Sequence, residues 1–207
     1  MDQQLWRKRW RRAIWVSSLL RSLPFIRMIG LNGSMVTGQM YEGSDIDFFV
    51  VVKHGHLFTG RLLVIGLVRL LGVGTTRYSV ANRICLNRFS SDRFLDITPH
   101  NKYHATVFHN LIPLVSLDYC YEQYCAVNRW MKELDEEIVV HQPIFVEAGP
   151  ARFFRSVAEW ILDCFGARLE KQLKFLQEQK VIANQRLQET GSQVVFSDYE
   201  VRYHFTK

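Results

Sequence analysis

Apolar positions along the chain change period from segment to segment, and those periods predict the order of the elements. Residues 4–22 carry apolar side chains at helical spacing, with Trp6, Trp10 and Trp15 set among basic residues. Pro24 ends this helix, because proline disfavours helical geometry in the residue before it. "FIRMIGLNG" (25–33) then predicts a strand with a Gly-Ser turn at its end, and "DIDFFVVV" (45–52) has the β-branched and aromatic content of a buried central strand. The intervening "MVTGQMYEG" leaves room for no more than a turn or two of helix. From Leu57 to Val73, Leu62, Ile65, Val68 and Gly72 keep helical spacing, with Arg61 and Arg69 able to reach a solvated edge, so this helix covers the sheet. "RICLNRF" (83–89) and "RFLDIT" (93–98) are short strand candidates separated by Ser90-Ser91-Asp92.

After Lys102 the chain changes character. "YHATVFHNLIPLVS" and "YEQYCAVNRWMKEL" read as helices, as does Ala151 to about Gln188 with a break near Gly166. "QVVFSDYEVRYHF" alternates Tyr199, Val201, Tyr203 and Phe205 against Glu200, Arg202 and His204, the pattern of a half-exposed strand. The fold expected is α/β (α+β), a small mixed sheet with covering helices and a helical C-terminal region. Three segments follow from it: a basic helix over 1–23, a core over 24–101, and a mainly helical region with a terminal strand over 102–207.

Composition is that of a globular protein, with 48% hydrophobic and 22% charged residues. The net charge of +6 is uneven: residues 1–27 hold seven Lys/Arg and one acid, so the rest of the chain is neutral. That excess sits in "WRKRWRRAIWV", where a helix over residues 6–21 can rest on an anionic membrane surface, bind RNA, or pack its tryptophans inward with its arginines in water. "AIWVSSLL" is short for a signal peptide and lacks a cleavage site, and Arg61 and Arg69 interrupt the longest apolar stretch, so the expectation is a cytoplasmic protein, held at most peripherally at a membrane. Cys85, Cys120, Cys125 and Cys164 form no Cys-x-x-Cys pair and read as reduced, buried core thiols.

The chemistry lies in "GSMVTGQMYEGSDIDFFVVV" (33–52). In a strand, residues two apart project from one face, so Asp45 and Asp47 present parallel carboxylates, and two such acids repel unless a cation neutralises them. Oxygen-only ligands at a strand end suit Mg²⁺ shared with phosphate oxygens. Gly33 permits a tight turn and close backbone approach, and the Ser34 hydroxyl adds a donor for an anion. Gly-Ser alone is a common turn and Asp-x-Asp alone a common strand start; joined at this spacing they become a specific pair.

"GS" followed after about ten residues by "SDIDFFVV" resembles the DNA polymerase beta-like nucleotidyltransferase superfamily, in particular small bacterial nucleotidyltransferase-domain proteins. The resemblance is strong over Pro24–Thr98 and looser beyond. It implies transfer of a nucleoside monophosphate from an NTP, ATP among the candidates, to an acceptor that is a small molecule, a protein or an RNA, with release of pyrophosphate. It also implies two Mg²⁺ ions on Asp45 and Asp47, and a triphosphate held by Gly33 and Ser34, with Ser44 of the motif beside them. Lys53 and Arg61 are further candidates to bind the triphosphate, or else solvated charges.

Members of the superfamily usually add a third carboxylate from a neighbouring strand, and here the sequence departs. On "RICLNRF", Cys85 and Asn87 share a face and neither is an acid. Asn87 offers an amide oxygen as a metal ligand but no carboxylate base. Asp96 in "RFLDIT" is the better substitute for the missing acid. The alternative to an active enzyme is therefore a catalytically impaired nucleotide-binding module of the same fold. His54 and His56 follow the Asp strand in a loop, either at the cleft rim or as ordinary loop histidines; His100, His104 and His109 complete no metal set.

Overall fold

The computed structural model describes residues 2–76, 78–134, 141–146, 150–183 and 193–204. Its elements run α1 (Gln3–Leu20), β1 (Ile26–Asn32), α2 (Ser34–Thr37), β2 (Ile46–Val52), α3 (Leu57–Leu70), β3 (Ile84–Ser91), α4 (Lys102–Phe108), β4 (Ile112–Ser116), α5 (Cys120–Val127), α6 (Met131–Leu134), β5 (Phe145–Val146), α7 (Pro150–Asp163), α8 (Gly166–Ile182), β6 (Gln193–Phe196) and β7 (Glu200–His204). The strands form one mixed seven-stranded sheet in the order β5-β4-β1-β2-β3-β7-β6. β2 lies near its middle, antiparallel to β1 and parallel to β3.

The two-residue period of β2 builds both layers of the protein. Ile46, Phe48, Val50 and Val52 enter one core with Ala13, Val16 and Leu20 of α1 and Phe58, Val64 and Val68 of α3. Phe49 and Val51 enter the opposite core with Ala105 and Phe108 of α4 and Tyr121 and Tyr124 of α5. Burying each such side chain contributes about 1.5–3 kcal/mol, which fixes β2 against a one-residue slip.

The C-terminal end of β2 is closed by ion pairs. Arg27 of β1 makes two hydrogen bonds to Glu159 of α7, at 2.9 and 3.0 Å, and Lys53 and His56 lie 3.1 and 2.7 Å from Asp163. Glu170 of α8 caps α3, accepting from Phe58 N at 2.6 Å, Thr59 N at 3.0 Å and the Thr59 hydroxyl at 2.6 Å. These bonds satisfy donors that every helix start leaves without an intrahelical partner.

Several expectations need correction. "LIPLVS" forms β4 rather than the end of a helix: α4 stops at Phe108, since a helix continuing to Ser116 would carry Pro113 in its interior. "RFLDIT" forms no strand, because the free edge of β3 is taken by β7. Asn128 replaces a strand partner there, accepting from Ile97 N at 2.9 Å and donating to Leu95 O at 2.8 Å. The single terminal strand is a hairpin, β6–β7, turned by Ser197, whose hydroxyl accepts from Tyr199 N and Glu200 N. The long helix does break at Phe165; its expected end at Gln188, like Phe205, lies outside the described residues. Nor are all four cysteines buried, since Cys164 is exposed.

The arginines of α1 do not all face water. Trp6 and Trp10 stack on each other at 5.0 Å and pack on the core, but Arg9 is fully buried. Among the described residues, no helix is long and apolar enough to cross a membrane.

Candidate functional site

A cleft of about 840 Å³ opens at the N-terminal end of β2, between the sheet and α4. Gly33, Ser34, Ser44, Asp45, Asp47, Cys85 and Asn87 line the sheet side of it; Asn101 to His104 and Thr106 to Phe108 line the other. Asp45 and Asp47 are the only carboxylates among the described residues around it, and Arg88, Lys102 and Arg202 bring positive charge to its wall.

Three strands set donors side by side. Asn32 of β1 and Cys85 of β3 stand opposite Asp47 of β2 on its two flanks. The donor atoms of Asp45, Asp47 and Cys85 all lie within 4.8 Å of one another, the one such group among the described residues. Burial, together with the charges of Asp47 and Asp45, pushes the Cys85 thiol well up. Without a cation, burial beside two carboxylates keeps Cys85 a neutral thiol.

Gly33 lies against this group. Its φ of +71° belongs to the region that favours glycine, and a Cβ there would stand 2.2 Å from Asp47 Oδ2. No side chain fits between the turn and the carboxylate. Next to it, the Ser34 hydroxyl is buried without a hydrogen-bond partner, as is Oδ1 of Asn32, which is only 3% exposed. Two orphaned oxygens beside two carboxylates are unusual in a protein interior and mark a place built for a ligand. The donor set fits a divalent cation, with Ser34 placed to meet what the cation brings.

The other expected residues divide. Ser44 is buried in the loop before Asp45 and accepts from Tyr41 N at 3.1 Å, so it shapes the loop. Asn87 reaches the site where the β2–β3 register shifts, yet presents its amide nitrogen, donating to Asp47 Oδ1 at 3.1 Å. It therefore orients a carboxylate rather than offering the oxygen expected of a ligand. Asp96 is turned away: it is outside the cleft lining and bonded to His100 at 2.8 Å. Lys53 sits at the other end of β2, roughly 20 Å of strand away, paired with Asp163. His54 and His56 share that end, His54 on Ser91 and His56 stacked on Phe25 at 3.9 Å.

Arg9 is the functional residue the sequence reading missed. Its Nε donates to Asn82 Oδ1 at 2.8 Å and its Nη2 to the Tyr41 and Glu42 carbonyls at 2.9 and 2.8 Å. This holds the loop that delivers Ser44 and Asp45 to the cleft. A signal existed, because Arg9 precedes Ala13, Val16 and Leu20 on the same helical stripe and so belongs to the buried face.

Residues 16–81 match the family model for the nucleotidyltransferase domain, consistent with the DNA polymerase beta-like superfamily. The match includes Gly33, Ser34, Asp45 and Asp47 and ends before Cys85. No curated protein and no solved structure matches the chain.

Proposed function

We propose that this nucleotidyltransferase domain moves a nucleoside monophosphate from an NTP to an acceptor. The observation that carries the reading is the meeting of the Gly33–Ser34 turn with the Asp45–Asp47 pair inside one cleft. In this scheme the Ser34 hydroxyl donates to the terminal phosphates, and Gly33 lets them approach the backbone. Asp45 and Asp47 would hold divalent cations, Mg²⁺ with the triphosphate, and these would supply neutralisation of charge on the α-phosphate and the leaving pyrophosphate. Arg9 keeps Asp45 in place, and Asn87 fixes the rotation of the Asp47 carboxylate.

The acceptor oxygen bonds to the α-phosphorus as the bond to the bridging oxygen breaks, with pyrophosphate leaving on the side of the Gly-Ser turn. In-line displacement then puts the acceptor on the β3 side, before Cys85, Asn87 and α4. Its proton passes to an aspartate of the pair or to solvent. Residues 24–101 supply the chemistry in this reading, and residues 102–207 supply the wall that faces the acceptor.

One observation favours a second reading, a nucleotide-binding module without turnover: the β3 position beside Asp47 holds Cys85, not a carboxylate. A single comparison separates the two. The full chain is given each labelled NTP with Mg²⁺ and a lysate as acceptor source, and pyrophosphate release is followed beside calorimetric binding of the same NTP. Release in the wild type that is absent in Asp45→Asn supports transfer. Triphosphate binding with no release from any acceptor fraction supports the module.

A further inference from the structure

The geometry points to Cys85 as a metal ligand: its sulfur joins Asp45 and Asp47 in one donor set, and that set takes a borderline divalent cation of the Zn²⁺ or Co²⁺ class. Two independent features carry the assignment. The three donor atoms already lie within 4.8 Å of one another. Donors sharing one tetrahedral ion at bonds of about 2.0–2.3 Å stand roughly 3.3–3.8 Å apart, so closure asks for a shift of about an ångström. The second feature is Asn32, 3% exposed, whose Oδ1 has no partner and which stands opposite Asp47 on the flank away from Cys85. A cation between the three strands gives that oxygen its partner.

Ligand softness decides which cation. An all-oxygen set suits Mg²⁺, whereas a sulfur among the donors shifts preference toward Zn²⁺, Co²⁺ and their neighbours. Coordination deprotonates the thiol outright; the metal–sulfur bond replaces the sulfur–hydrogen bond, and the proton leaves to the buffer. Asn87, donating to Asp47 Oδ1, fixes the carboxylate from outside the set. Of the two cations the carboxylate pair would hold, this is the one apart from the Mg²⁺ that would arrive with the triphosphate. Cys85 thereby takes the place of the third carboxylate as a ligand but not as a base.

The assignment rests on the Asp45–Asp47 reading of the site, and its test is independent of turnover. The full chain, reduced and carrying Cys164→Ser to remove the exposed thiol, is titrated with Co²⁺ and followed by absorption. The expected result is a sulfur-to-cobalt charge-transfer band that saturates at one equivalent and disappears in Cys85→Ser and in Asp47→Asn. Zn²⁺ affinity should fall on the order of a hundredfold in Cys85→Ser. Cys85→Asp, which makes the set all-oxygen, should lose the band and bind Mg²⁺ at least about tenfold more tightly.

Co²⁺ binding without the band, or a band that survives Cys85→Ser, overturns the assignment. A band with no pyrophosphate released from any NTP leaves the metal site standing and removes the transferase reading. Release with Mg²⁺ alone and no band does the reverse.

Discussion

At its C-terminal end β2 runs into Lys53, whose ammonium lies 3.1 Å from Asp163, while close by Glu159 answers Arg27 and Glu170 caps α3. At its N-terminal end the same strand presents Asp45 and Asp47 beside a thiol, an orphaned hydroxyl and an orphaned amide oxygen. Both ends are polar and partly buried, and both draw side chains from several elements. They differ in whether the protein itself completes the bonding. Where α7 and α8 bring matching charges, the groups are structural; where Ser34 and Asn32 keep buried oxygens without partners, what enters can complete the bonding. Buried polar groups left without partners cost about 1–3 kcal/mol each, and a site that binds a cation and an anion recovers that cost on binding.

The contrast can be broken most directly at the open end. Asp47→Asn keeps the shape of the side chain and removes the charge, so nucleotide transfer should fall on the order of a thousandfold while the melting temperature stays within a few degrees. Parallel activity and thermal-unfolding measurements check this, and transfer at wild-type rate would put the chemistry elsewhere.

Gly33→Ala comes next. The new methyl meets Asp47 Oδ2 at 2.2 Å on a backbone already at φ +71°. Displacing the carboxylate by about an ångström should lower kcat/KM on the order of a hundredfold. The strained backbone should also cost about 1–3 kcal/mol of stability. Steady-state kinetics and denaturant titration measure the two effects, and an unchanged kcat/KM would show that the turn does not touch the reaction.

Glu159→Gln attacks the closed end, where the effect should fall on stability alone. Removing one partner of this buried pair costs about 3–5 kcal/mol, with the specific activity of the folded protein unaltered. It should also change the acid response. Burial alone would raise the Glu159 carboxyl, but Arg27, Phe25 N and Arg155 reverse this and hold it below its ordinary value. The unfolded chain therefore takes up this proton first, and the stability it provides is lost as pH falls from the ordinary carboxylate value through the lowered one. Unfolding free energy measured across that window should fall less steeply in Glu159→Gln than in the wild type.

The smallest effect belongs to Lys53→Met. A partly exposed pair of this kind is worth about 0–1 kcal/mol, and its distance from the cleft leaves triphosphate affinity within about twofold. A large loss of affinity by calorimetry would bring the two ends of β2 into one site after all.

Much of this was legible along the chain. β1, β2, β3, α1 and α3 follow from local periods, since a two-residue alternation buries a strand and a 3.6-residue one buries a helix wherever the rest of the chain lies. The pairing of Gly33–Ser34 with Asp45–Asp47 was legible too, because short connections return β2 beside β1 in antiparallel register. β4 was misread, as its short apolar run fits either period until β1 offers it an edge.

By itself, then, the sequence determined the central strands, their covering helices and the four residues of the Gly-Ser and Asp-x-Asp pair, all of which depend on neighbours within about twenty positions. Only the tertiary structure decided which other polar groups join them. Arg9, Asn32 and Cys85 reach the site through contacts with distant segments or adjacent strands, and Lys53, His56 and Asp96 are withdrawn from it by Asp163 and His100. A polar or charged side chain settles where its hydrogen-bond or charge partner is. That partner is set by how helices pack on a sheet, which no local spacing records.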